Sequence, residues 1–290
     1  MANSIALFKN YVPLLDEVYK DAALTSVLDG AAELAREGAN ANELIVPMLD
    51  MNGLADYDRN SGYIDGDVTL THETVKCNFD RGRRFQVDNM DNAETAGIAF
   101  GRLSGEFIRT KVAPEIDAFR MAAYASTSDI GTASGALSTG ANVITALRTA
   151  TNAMDEAEVP QDQRYLFITP TLKGMIEDLD STKSREVMAR FAQVIAIPQS
   201  RFYSAIEQND GQTSGQEAGG YKKAEDGKNI NFMIVHKPAV IQFQKHIAPR
   251  VFEPSQNQDA DAWRFTYRNV GIAQAYENKV AGIYAHLSTT

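Results

Sequence analysis

From residue 66 to residue 88 the chain carries strand texture without an apolar face, and no other feature of the sequence constrains its fold as much. The run from Val68 to Phe79 (VTLTHETVKCNF) alternates β-branched and aromatic residues with polar ones, as half-buried strands do. Asp80-Arg81-Gly82-Arg83 has turn chemistry, and Arg84-Phe85-Gln86-Val87-Asp88 resumes the alternation. The pattern predicts a long polar hairpin that reverses at 80–83. A two-stranded hairpin is marginal in water by itself, so this one must lean on its own domain or on a neighbouring chain.

The clearest predicted helix follows over 92–125. Asn92 is placed as its N-cap, with Glu94 and Thr95 in the first turn. Ile98, Phe100, Leu103, Phe107 and Ile108 recur at helical spacing on one broad face. Arg102, Glu106 and Arg109 are spaced for a surface ladder. About 20 residues up to Val112 would span ~30 Å. Pro114 is expected to kink or restart the helix, with Ile116, Phe119 and Ala123 inward beyond it.

Residues 1–30 read as an arm: apolar, interrupted by Pro13, with a short helix over 21–28 stopped by Gly30. Such a segment needs a surface to lie on, and another subunit is one candidate. Residues 43–49 read as a short strand, which Pro47 places near an edge or an end. The small-residue run 126–141 is the best boundary in the chain. Beyond it the texture is α/β: a helix over 143–157, a buried strand over 164–169, and helices over 171–179 and 184–192. Strand-like texture returns over 194–206. The Gly-rich stretch 207–229 reads as a long surface loop. A buried strand is expected over 230–236, and a short strand or helix over 238–243. A long strand then sets Trp263, Phe265 and Tyr267 on one face, and a last apolar strand covers 280–285.

With 38 acidic against 28 basic residues the net charge is −10, which argues against non-specific nucleic-acid binding. Any DNA contact should be weak and local. Cys77 is the only cysteine, so neither an intrachain disulfide nor a Cys-rich metal site is expected. Met1 to Lys9 lack a basic stretch followed by an apolar core. No run approaches the ~18 apolar residues of a membrane span. The expectation is a protein that stays in the compartment where it is made. His72, His236, His246 and His286 have no zinc-ligand spacing, and no nucleophile elbow or phosphate loop is present. Asp56-Tyr57-Asp58-Arg59-Asn60 begins like a calcium loop, but Val68 stands where its bidentate Glu belongs. No catalytic residue, cofactor or metal is expected.

The run DRGRRFQVDNMDNAETAGIAFGRLSGEFIRTKVAPEIDAFR (80–120) resembles major capsid proteins of tailed bacteriophages. DYDRNSGYIDGDVTLTHETV (56–75), VPQDQRYLFITPTLKGMIEDL (159–179) and NFMIVHKPAVI (231–241) extend the likeness over most of the chain after the arm. The resemblance implies an α+β, Hong Kong 97-type capsid fold. It would comprise an N-terminal arm (1–30), the start of the P-domain (31–56) and an extended E-loop hairpin (57–91). A P-domain spine helix (92–126) and an A-domain (127–245, with 207–229 a surface loop) would follow. A P-domain return strand (246–278) and a C-terminal strand to the A-domain (279–290) would complete it.

The implied function is a non-enzymatic shell subunit that assembles into hexamers and pentamers of an icosahedral head around double-stranded DNA. Its place would be the virion capsid, after synthesis and assembly in the bacterial host cytoplasm. The expected partners are the chain itself, a separate scaffolding protein, a portal and, as a further option, decoration proteins. Scaffolding is expected to be separate because only some 30 residues precede the P-domain. Arg81, Arg83 and Arg84, the one basic cluster, are candidate inter-subunit contacts together with Phe85 and Tyr63. Pairing with Asp88, Asp91 or Glu94 inside the subunit stays open. Phe100, Leu103, Phe107, Trp263, Phe265 and Tyr267 are the expected structural core. The competing readings are an encapsulin-type nanocompartment shell and a soluble α/β enzyme built on 143–245.

Overall fold

The computed structural model describes the chain apart from residues 1–22, 31–35, 38–42, 58, 60–61, 64, 95–97, 180 and 290. The side chains of 36–37, 43–50, 70–74, 92–94 and 98–102 also lie outside the description. Most of the expected arm therefore falls outside it; from its end, Leu24–Leu28 forms a 3-10 turn.

The polar hairpin exists, but with a different partner and a different reversal. β2 (Glu43–Met51) pairs antiparallel with β3 (Val68–Lys76), from Glu43↔Lys76 to Met51↔Val68, and β1 (Arg36–Glu37) adds to the outer side of β2. The reversal is thus the stretch 52–67, not 80–83. β4 (Phe79–Asp88) is one uninterrupted strand through the arginine cluster. It pairs antiparallel with β13 (Ala262–Ala275), from Phe79↔Gly271 to Asp88↔Ala262.

Gly82, which in the sequence reads as a turn residue, is there for a close backbone approach: a Cβ at this position would stand 2.8 Å from the Tyr267 carbonyl oxygen. The link between β3 and β4 is pinned by Asn78. Its side chain donates to Ala273 O at 2.7 Å and accepts from Ala273 N at 3.1 Å. The base of the hairpin leans on its own domain, because Val75 packs against Ile241 and Ile272.

The other edge of β13 carries β11 (Val240–Ile247) and then β12 (Arg250–Phe252), which completes a four-stranded sheet. The spine runs through α1 (Asn89–Glu94), α2 (Ile98–Phe107), a π turn (Ile108–Val112) and α3 (Ala113–Ala125). It opens directly after β4, where Asp88 Oδ1 accepts the Met90 N–H at 2.9 Å. Asn92 therefore lies inside the helix rather than capping it, and the capping carboxylate is Asp88. Pro114 restarts the helix as expected. Its missing N–H is absorbed by the π turn just before it.

Ile108, Val112, Ala113 and Ile116 face Phe265 and Tyr267 across the sheet, with Leu103, Phe107 and Trp263 partly buried beside them. Phe100 belongs to the residues whose side chains are not described.

The second half is a five-stranded sheet in the order β5-β14-β10-β6-β7. These are β5 (Gly131–Ser134), β6 (Arg164–Ile168), β7 (Gln193–Ala196), β10 (Ile230–His236) and β14 (Ile283–Leu287). β5 lies inside the small-residue run 126–141, for which no strand was expected. Its four small residues have no apolar run of their own and are held parallel to β14. β14 itself starts later than expected, because Glu277–Gly282 is a 3-10 segment.

Period-two alternation sorts the core. Leu166, Ile168, Phe232 and Ile234 meet the helices α4 (Gly140–Glu156), α5 (Pro170–Leu179) and α6 (Thr182–Met188). Phe167, Met233, Val235 and Ile283 meet Met121 and Tyr124 of the spine on the other face. The helix expected at 184–192 starts two residues earlier and ends sooner, fixed by a Ser181–Ser184 capping box. The predicted loop 207–229 contains a short hairpin of β8 (Ile206–Gln208) and β9 (Tyr221–Lys223).

Candidate functional site

Two surfaces stand out among the described residues, and they are opposite in character. The first is the hairpin reversal, 52–67. Met51, Leu54, Tyr57, Tyr63 and Val68 are all exposed, Tyr63 to 89%. Tyr57 and Tyr63 meet edge to face, with ring centroids 4.9 Å apart. Five aspartates against Arg59 give 50–67 a net charge of −4. Scattered exposed apolar residues are ordinary, but five around one reversal form a patch that water does not favour.

The second surface is a cleft of about 960 Å³ between β4, the spine and the β8–β9 hairpin. Phe85, Leu103, Phe107, Val112 and Tyr267 give it an apolar floor. Five cations stand around it, Arg81, Arg83, Lys111, Lys222 and Lys223, against Glu106, Glu115 and Asp210. On a chain of net charge −10 this is a local excess of positive charge.

The arginine cluster is split by strand alternation. Arg81 pairs with Glu115 at 2.8 Å and also donates to the carbonyls of Asn209 (2.7 Å) and Gly220 (3.3 Å). Arg83 donates to Glu217 O at 2.9 Å. Both therefore hold the chain's own 209–220 segment against β4. Gly219 and Gly220 turn this segment at φ 68° and 76°, a conformation glycine adopts freely. The acidic partner of Arg81 is Glu115; the side chain of Glu94 lies outside the described residues. Arg84 is exposed on the opposite side of the strand. Phe85 packs edge to face on Phe107 at 4.8 Å and stacks on Phe265.

Burial pushes the Glu115 carboxyl up, and Arg81 partly offsets this. Sequence reasoning missed Glu115. Its only signal is an acidic residue in the first turn after Pro114, which is common to many helices. Leu54 was also missed, because a lone Leu in turn chemistry carries no periodicity.

Among the described residues no group of three potential ligands could hold a metal ion. No helix there is long and apolar enough to cross a membrane. His286 accepts or donates at 3.0 Å to Asn231 and stacks on Phe232. Burial lowers the imidazoles of both His236 and His286. The side chain of His72 lies outside the described residues.

No family model matches the sequence, and no curated protein is detectably similar to it. Solved structures do match. The structure titled Gordonia phage Cozz has a TM-score of 0.61 at 13% identity, over 92% of this chain and 87% of that one. A virus-like particle from Pyrococcus furiosus gives 0.57 at 10% identity, over 94% and 95% of the two chains. The capsid of cyanophage P-SCSP1u gives 0.55 at 12%, over 88% and 86%. The chain has the α+β, Hong Kong 97-type fold of phage capsid structures along nearly its whole length.

Proposed function

We propose that a chain of this fold is the shell subunit of a tailed-phage head, self-assembling into hexamers and pentamers around double-stranded DNA. The observation that carries the reading is the apolar exposure around the reversal at 52–67, where Met51, Leu54, Tyr57, Tyr63 and Val68 are left uncovered by the described residues. Its aspartates suit the cationic rim of the cleft, and its apolar side chains suit the cleft floor. One chain thus carries two complementary, unlike surfaces, and a heterologous contact of that kind makes a ring where its rotation closes. Obligate interfaces often bury more than ~2,000 Å².

In this assignment 1–30 is the arm, the β2–β3 hairpin takes the part given to 57–91, and the spine with the β13 sheet is the P-domain. The five-stranded sheet and its helices form the A-domain. Tyr63 and Arg84 remain the proposed contacts between subunits. Arg81, Arg83 and Phe85 support that surface from within. A separate scaffolding protein and a portal complete the assembly, which takes place in the host cytoplasm and ends in the virion. Decoration proteins are an optional addition.

The test is sedimentation and negative-stain microscopy of the purified chain, with and without co-expressed neighbouring phage proteins. Wild type should give shells, tubes or capsomer rings. Leu54→Asp with Tyr63→Asp should leave a folded subunit that does not assemble. Wild-type assembly by the double variant, or a wild-type monomer under every condition, overturns the proposal. The alternative reading is a protein nanocompartment shell. Packaged protein in place of DNA would identify it.

A further inference from the structure

Residues 209–220, the strap between β8 and β9, are built as a unit of their own. Asn209 closes the base, through its N–H to Gly220 O at 2.9 Å and its side-chain amide to Gly219 O at 3.1 Å. Asp210 Oδ1 accepts the Gln212 and Thr213 N–H groups, both at 2.8 Å, and its Oδ2 accepts the Thr213 hydroxyl. These bonds, that of the hydroxyl first, hold the Asp210 carboxyl down at about 2. Glu217 Oε2 accepts the Gly215 N–H at 2.9 Å. The strap meets β4 at Arg83, an exposed residue.

Arg83 is held there by backbone. Its Nη2 donates to Glu217 O at 2.9 Å. Its Nη1 lies against two glycines: a Cβ at Gly211 would stand 2.7 Å from it, and one at Gly219 3.3 Å. The guanidinium thus occupies a notch that side chains at these positions would fill. A guanidinium carries several donors in a planar fork. Among the described residues, the acceptor that Arg83 meets is Glu217 O, a neutral carbonyl. The acids that line the cleft are engaged elsewhere: Glu115 by Arg81, Glu106 by Arg109 at 2.8 and 2.9 Å, and Asp210 by the strap itself.

We infer that the strap sets Arg83 as a preformed receptor for a carboxylate, supplied by Asp56, Asp65 or Asp67 in the reversal of a second copy. The inference rests on the docking of that reversal into the cleft, and it names the contact that orients it. The three aspartates are exposed, and no described residue of 50–67 lines the cleft of its own chain. A carboxylate from the reversal therefore reaches Arg83 from another subunit.

The strap changes what such a contact contributes. An exposed ion pair adds little when both long side chains must be ordered to form it. Arg83 is ordered beforehand by a carbonyl and two glycines, so less freedom is lost on association. A charge-assisted bond to a carboxylate is also shorter and stronger than a neutral one, and the fork fixes its direction. Lysine at this position would keep the charge and lose the fork. The charges of the two surfaces agree. The reversal has a net −4 over 50–67, and Lys111, Lys222 and Lys223 stand on the same rim as Arg83.

The test is the critical concentration for assembly of purified full-length chains, alone or with neighbouring phage proteins added, read by sedimentation. Arg83→Gln should raise it about tenfold, the scale of one hydrogen bond to a charged group. Arg83→Lys should raise it several-fold by losing the fork. Gly211→Ala should do the same by displacing a guanidinium that keeps its charge; should it disorder the strap, Arg83→Lys decides alone. Far-UV circular dichroism of the dispersed variants should match wild type. Of Asp56→Asn, Asp65→Asn and Asp67→Asn, the one that removes the partner should cost nothing further in the Arg83→Gln background. An arginine that only held the strap would give additive losses. Arg83→Gln and Arg83→Lys assembling at the wild-type concentration, or additivity with all three aspartates, overturns the receptor. The docking reading survives either result as long as Leu54→Asp with Tyr63→Asp still blocks assembly. If that variant assembles as wild type does, the docking reading falls and the receptor with it. Retention of DNA that Arg83→Gln abolishes, with assembly unchanged, overturns the receptor in favour of a phosphate contact.

Discussion

Arg81 shows how one side chain can serve two elements. It neutralises Glu115, which is largely buried, and holds two carbonyls of the 209–220 segment. Removing it leaves an acid with a raised carboxyl and takes a donor from the Asn209 carbonyl, while Gly220 O keeps the Asn209 N–H at 2.9 Å. Arg81→Ala should therefore cost about 2 kcal/mol at neutral pH, the scale of leaving buried polar groups unpaired. The sign of its pH dependence follows from Glu115. A carboxyl raised in the fold is accommodated best when protonated, so the penalty should shrink as pH falls through the Glu115 range. Denaturant midpoints of wild type and variant at several pH values would check this, and a penalty that grows in acid would refute it. The Asp80–Arg268 pair is a contrast. Its two bonds lower the Asp80 carboxyl, but both side chains are about half exposed, and solvent screening leaves such pairs little weight.

At the scale of elements, the central feature is β4 lying along β13 for its full length, with the spine across both. Gly82 permits the closest approach. A methyl group added there meets the Tyr267 carbonyl, a backbone atom that can move only with its strand. Gly82→Ala should destabilise the chain by about 1–3 kcal/mol through strand displacement. Thermal unfolding would measure it. If Gly82 instead acted as a turn residue, as its neighbours Asp80, Arg81 and Arg83 suggest, the substitution would loosen a loop and leave the β4–β13 pairing protected. Hydrogen exchange of 79–88 separates the two outcomes.

For the whole molecule, charge is distributed unevenly. A net −10 coexists with a cationic rim around the cleft and an acidic hairpin reversal. Nucleic-acid affinity depends on how many cations displace condensed counterions. The cleft cations are partly engaged by Glu115, Glu207 and backbone carbonyls. Dispersed subunits should therefore fail to retain double-stranded DNA in a gel-shift experiment at moderate ionic strength. Salt-sensitive retention would mean that the rim faces DNA rather than another subunit.

Local chemistry alone determined much of this protein. The apolar run Ile230–His236, the alternation of Trp263, Phe265 and Tyr267, and the helical spacing from Ile98 to Ile108 became the elements they predict. Each depends on periodicity within a few residues. Pro114 marked the restart of the spine for the same reason. The tertiary structure decided which strand pairs with which, because an edge is chosen by what is available far along the chain. Arg268 meets Asp80 across 188 residues of sequence. That choice turned an apparent turn at 80–83 into the middle of a strand and moved the reversal to 52–67. It also made a strand of Gly131–Ser134, and buried Asp117 and Arg120 of the spine. Hydrogen-bond partners and burial are non-local quantities, and residue type at one position carries little of either.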